Sequence, residues 1–293
     1  SIGIKMQYAS NECKMWDPAD FFSTKTKGLH IFDKCLSDVN KMGADSLDMP
    51  RMHFIYIGDS VMDLQVDIFE LIMGQAKTEN TFLTKIDTRN GIYHTLENVK
   101  RTLEQIRFSQ PHEKRFVLFN SGLHDVDKLC SSASAEFREK HQHHSVDASM
   151  PCVDIYREMF GELVRLVGEF PAELRVFRST TAGWLKYGNY GFGWPPNVTQ
   201  PLSKSSHFVS HFNDIAFDVI SKSGQDVYVS DGYWASLARP DNTEAGTLQK
   251  RGKHLVHPGM DVVVSLTMNW LLLILRRFCN DTVDVWNSDH ISD

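Results

Sequence analysis

Apolar residues follow two rhythms along the 293-residue chain. Short continuous runs read as strands covered on both faces: HFIYIG at 53–58, FVLFN at 116–120, LRVFRS at 174–179, DVYVS at 226–230, and a weaker TFLTKI at 81–86. Between them, apolar positions recur every three or four residues. Val61, Leu64, Ile68 and Leu71 share one helical face, as do Leu96, Val99, Leu103 and Ile106. Val153, Tyr156, Phe160, Leu163 and Val167 form another before Pro171 ends it, and Phe208, Phe212, Ile215 and Val219 repeat the pattern. A last helix is expected over 260–277. Strand alternating with helix five times predicts one α/β domain, a parallel sheet with helices on both faces. Its boundaries fall at 51–280, after an irregular N-terminal extension over 1–50 and before a tail over 281–293.

The formal charge of −6 and the absence of any run of five basic residues argue against a polyanion-binding surface, so nucleic acid is not an expected partner. The most apolar run, VVVSLTMNWLLLIL at 262–275, is 14 residues long and carries Ser265 and Asn269. A bilayer span needs about 20 residues, so this run reads as a core helix. Cys13, Cys35, Cys130, Cys152 and Cys279 form no CxxC pair. With sequons at Asn197 and Asn280 they tilt the reading towards the secretory lumen, such as the Golgi, or the extracellular space. Cys13–Cys35 and Cys130–Cys152 are then candidate bridges, with Cys279 left over. The chain opens on Ser1, and its N-terminus does not fix a compartment.

Candidate chemistry sits at the end of the first strand. In a parallel sheet, ligands bind beyond the carboxyl ends of the strands. Gly58-Asp59-Ser60 lies there, and helix pattern begins at once, so Ser60 is expected near a helix N-terminus that favours negative charge. Taken alone, a serine there is a plain N-cap. A nucleophile also needs a base from a distant part of the chain, and His257-Pro258-Gly259 opens the last helix.

With these blocks the sequence resembles the SGNH (GDSL-type) hydrolase superfamily: Gly58-Asp59-Ser60, then Gly91 in TRNGIYH, then FNSGLHD at 119–125, then His257-Pro258-Gly259. FNSG and the cysteine-containing extension look most like the PC-esterase branch, with its trichome-birefringence-like and sialate O-acetylating proteins. The resemblance implies a three-layer, flavodoxin-like sheet. It implies Ser60 as nucleophile and His257 as general base, with the N–H groups of Ser60 and Gly91 and the side-chain amide of Asn120 as the oxyanion hole. Order 2-1-3-4-5 would set Ser60 and Asn120 on adjacent strand ends, and truncating Asn120 is expected to cost turnover without harming folding. No cofactor is implied.

Two positions depart from the family pattern. Gly122-Leu123-His124-Asp125 stands where Gly-x-Asn-Asp is usual, so Asn120 must supply the amide. His254 stands where an aspartate normally supports the catalytic histidine. A histidine can accept a hydrogen bond from its neighbour but offers no fixed negative charge, so the triad reduces to a dyad in which His254, Asp231 or a backbone carbonyl is the candidate to orient His257. The loop TTAGWLKYGNYGFGWPPNVTQP at 180–201 carries Trp184, Tyr187, Tyr190, Phe192 and Trp194, flat faces suited to sugar rings or acyl groups. Of these, Trp184, Tyr187 and Trp194 are the expected substrate contacts, although the loop reads equally as a lid. His141, His143 and His144, or His254 with His257, would be needed for zinc, but Pro258 disfavours helix at His257 and no acidic partner lies beside it. The expectation is a serine esterase or O-acyltransferase for carbohydrate esters. Its rival is a non-catalytic domain of the same fold that binds or assembles with a partner.

Overall fold

A computed structural model describes residues 51–73, 81–109, 113–130, 151–182, 206–239 and 257–278. The extension over 1–50 and the tail after 278 lie outside them. Five strands form the sheet: β1 (Met52–Gly58), β2 (Thr81–Asp87), β3 (Lys114–Phe119), β4 (Leu174–Arg178) and β5 (Tyr228–Ser230). Every pairing is parallel and the order is β2-β1-β3-β4-β5. The helices between and after them are α1 (Ser60–Met73), α2 (Ile92–Ser109), α3 (Leu123–Cys130), α4 (Cys152–Glu169), α5 (Ser206–Ser223), α6 (Gly232–Leu237) and α7 (Met260–Phe278).

Strand alternation sorts the core into two layers. Ile55, Ile57, Val117, Phe119 and Phe177 pack against α2, α4 and α5. Phe54, Tyr56, Phe116, Leu118, Leu174 and Val176 pack against α1 and α7, where Trp270 Nε1 donates to the Tyr56 hydroxyl at 3.2 Å. Burial on both sides explains why these strands read as unbroken apolar runs. The expected apolar face of α1 needs adjustment. Leu71 is exposed and Leu64 half-buried, whereas Met62, Gln65, Val66 and Phe69 are buried, because α1 is gripped between the sheet and α7. No described helix is long and apolar enough to cross a membrane.

Away from the carboxyl edge, side chains lace the strands together. His53 is within hydrogen-bond distance of both Thr84 Oγ1 (2.8 Å) and Glu113 Oε2 (2.9 Å), joining β1, β2 and the approach to β3. One of the two expected disulfides, Cys130–Cys152, links the end of α3 to the start of α4. Cys13, Cys35 and Cys279 lie outside the described residues.

Candidate active site

The chain leaves β1 outward to β2 and then returns past β1 to β3, so the connections diverge between the carboxyl ends of β1 and β3. That divergence is where α/β sheets bind ligands. Ser60 follows β1 there, and Asn120 follows β3. Gly58 lets α1 start this close to the strand: a Cβ on it would stand 2.7 Å from Met62 Cβ. Asp59, 4% exposed, then turns the corner. Its Oδ1 accepts the Val61 N–H at 3.0 Å and its carbonyl accepts the Asp63 N–H at 3.1 Å. As the first residue of α1, Ser60 leaves its own N–H without an intrahelical acceptor, pointing out of a positive helix end.

His257 arrives from the far end of the sequence, just ahead of α7. Its Nε2 lies 2.8 Å from Ser60 Oγ, a contact across 197 positions of sequence. With the imidazole neutral and its proton on Nδ1, the serine hydroxyl donates and Nε2 accepts. Hydroxyl and base are thus in place for proton transfer. His254 lies outside the described residues, as do Trp184, Tyr187, Trp194 and the 141–144 histidines. Asp231 does not take the aspartate's place. Its Oδ1 accepts from Ser179 Oγ at 3.0 Å and from the Trp234 N–H at 3.2 Å, which makes it the N-cap of α6.

The two other expected oxyanion donors are engaged within the protein. Gly91, at φ 79, closes a turn in which its N–H donates to the Thr88 carbonyl at 2.8 Å. Asn120 is fully buried, and its Nδ2 donates to the Arg178 carbonyl at 2.9 Å and to Thr180 Oγ1 at 3.1 Å. The carbonyl of Arg178 can only accept, so it fixes which way the amide is turned. To reach an acyl oxygen, either group must give up or share a bond it now makes.

Two residues of this edge escape the sequence reading as site residues. Arg178 ends β4 on the face covered by α1 and α7, following Leu174 and Val176 by alternation. It is 1% exposed, and among the described residues its Nη1 reaches only the Ser179 carbonyl at 3.3 Å while Nε and Nη2 have no acceptor. Burial pushes the guanidinium down to about 10, while the negative charge of Asp59 pulls the other way. Period-two spacing in LRVFRS is the signal that could have found it. Asp125 is the second, 2% exposed, with Ser121 Oγ, the Gly122 N–H and the Ile92 N–H all donating to it. Burial pushes its carboxyl up to about 6 against those three donors. Its place three residues after Gly122, the spacing of a capping box, is the signal in sequence.

Fold and site together define a three-layer α/β protein with a serine–histidine pair at the switch point of its sheet. No protein-family model matches the chain, and no curated protein matches it.

Proposed function

We propose that this chain is a serine esterase or O-acyltransferase of the SGNH type, closest to the PC-esterase branch, acting on acyl esters of carbohydrates and chiefly on O-acetyl groups. The observation that carries the reading is the 2.8 Å approach of Ser60 Oγ to His257 Nε2 at a helix N-terminus on the carboxyl edge of a parallel sheet. Ser60 Oγ attacks the acyl carbonyl as Nε2 takes its proton, and the oxyanion forms against the Ser60 N–H. As the bond from acyl carbon to sugar oxygen breaks, the imidazolium gives the proton to that oxygen, which leaves as the sugar hydroxyl. Water or an acceptor hydroxyl then discharges the acyl-serine by the reverse path. Gly91 and Asn120 complete the hole once substrate draws their N–H groups from Thr88 and Arg178, since catalytic hydrogen bonds often tighten only in the complex. The Cys130–Cys152 bridge supports an oxidising compartment, lumenal or extracellular.

The engaged state of those two donors favours one rival, a non-catalytic domain that binds a partner. A fluorophosphonate probe separates the two readings. The intact chain should form a covalent adduct, seen by mass, that is lost in both Ser60→Ala and His257→Ala. A folded chain that takes no label at Ser60 leaves only the binding role.

A further inference from the structure

One carboxylate closes two helices at once. Asp125 Oδ2 accepts the Gly122 N–H at 3.0 Å and the Ser121 hydroxyl at 2.8 Å, and so caps its own helix α3. Oδ1 reaches across to the other loop and accepts the Ile92 N–H at 2.6 Å, at the first position of α2. The positive ends of two helix dipoles therefore converge on a single buried negative group. The loops are pressed together at this point, because a Cβ on Gly91 would stand 3.1 Å from Oδ1. An ordinary cap needs only the first pair of bonds. The third bond couples the loop after β2 to the loop after β3. Gly91 immediately precedes Ile92 and Asn120 immediately precedes Ser121, so each expected oxyanion donor is the chain neighbour of a residue that Asp125 holds.

We infer that Asp125 is a positioning residue for the oxyanion region: it fixes the loop carrying Gly91 against the strand end carrying Asn120, and so sets where both stand relative to Ser60. This rests on the serine-esterase reading. Asp125 touches neither substrate nor nucleophile, and its effect passes through the two backbones it ties. Removing it should loosen the oxyanion geometry while leaving ground-state binding of an ester nearly alone.

The test uses the intact chain, Ser60→Ala, Asp125→Ala and the nearly isosteric Asp125→Asn, with p-nitrophenyl acetate as substrate and amide hydrogen exchange as a second readout. In Asp125→Ala, kcat should fall about 100-fold, the scale of one lost oxyanion donor, with KM within about threefold of wild type. Exchange at Ile92 and Gly122 should quicken about tenfold or more, as expected for amides that lose a buried acceptor, while strand amides stay protected. Asp125→Asn keeps one acceptor oxygen and should fall between, and it stands in if the alanine variant does not fold. A folded variant with unchanged kcat, or one whose loss lies wholly in KM, overturns the inference. If the wild-type chain shows no turnover that depends on Ser60, the esterase reading fails instead. Exchange then judges the tie alone, and unaltered protection at Ile92 and Gly122 refutes it.

Discussion

Replacing Arg178 with methionine should make the protein more stable. The guanidinium is buried, and its descent to about 10 means that the fold works against its charged form. A lowered base carries that penalty fully at every pH below its folded value, so it is undiminished at pH 7. At about 1.4 kcal/mol per pKa unit, the fall from an arginine's ordinary value amounts to ~3 kcal/mol. Two donors without acceptors, Nε and Nη2, account for a cost of the same order at ~1–3 kcal/mol each. These describe one penalty from two sides and do not add. Against it, methionine gives up the long Nη1 bond to the Ser179 carbonyl and leaves Asp59 without its neighbouring cation. Methionine keeps an unbranched apolar stem where Arg178 Cγ and Cδ stand 3.3 and 3.6 Å from a Cβ position on Gly232. A net gain of ~1–2 kcal/mol is expected, in line with replacing other buried ions by apolar side chains. Urea unfolding at pH 7 should show a higher midpoint with an unchanged slope. A midpoint below that of wild type would refute the reasoning, because it would mean that the buried charge stabilises the fold.

Asn120→Ala leaves the Arg178 carbonyl and Thr180 Oγ1 without the donor they share, so unfolding free energy should drop by ~2–4 kcal/mol alongside any loss of turnover. Intact stability in a denaturant titration would show that neither bond matters; this replaces the expectation that Asn120 can be truncated without harm to folding. For Asp125, a carboxyl raised to about 6 from the ordinary 3.8 contributes stability that is full below about pH 4 and lost as pH rises through 6. The loss totals ~3 kcal/mol. Asp125→Asn has no such titration, so the stability of wild type relative to the variant should fall by ~2–3 kcal/mol between pH 4 and pH 7. A difference that stays flat contradicts the raised carboxyl.

The alternation of apolar strand runs with helical faces was legible because a parallel sheet buried on both sides leaves continuous stretches such as FIYI and FVLF, which few other environments demand. Ser60 and His257 were legible as a pair for a different reason. Each sits beside residues that bend the chain sharply, Gly58-Asp59 before one and Pro258-Gly259 after the other, at element ends that topology must bring to one edge. What was not legible depended on neighbours far away in sequence. Nothing local says that the Asn120 amide is spent on Arg178 and Thr180, that Asp231 answers to Ser179, or that Arg178 is left with two donors unmet. Leu71 failed for a related reason: helical spacing alone cannot tell which flank of α1 the last helix will cover.

The Cys130–Cys152 bridge has a consequence for the life of the chain. It joins the half of the sequence that supplies β1, β2 and β3 to the half that supplies β4, β5 and His257. A protease that cuts anywhere between the two cysteines therefore does not separate the halves. The nicked protein stays one covalent molecule, with Ser60 and His257 on different fragments that the bridge still joins, and comes apart only after reduction and unfolding. While the bridge is intact, processing in that segment can trim or mark the protein but cannot by itself release either half.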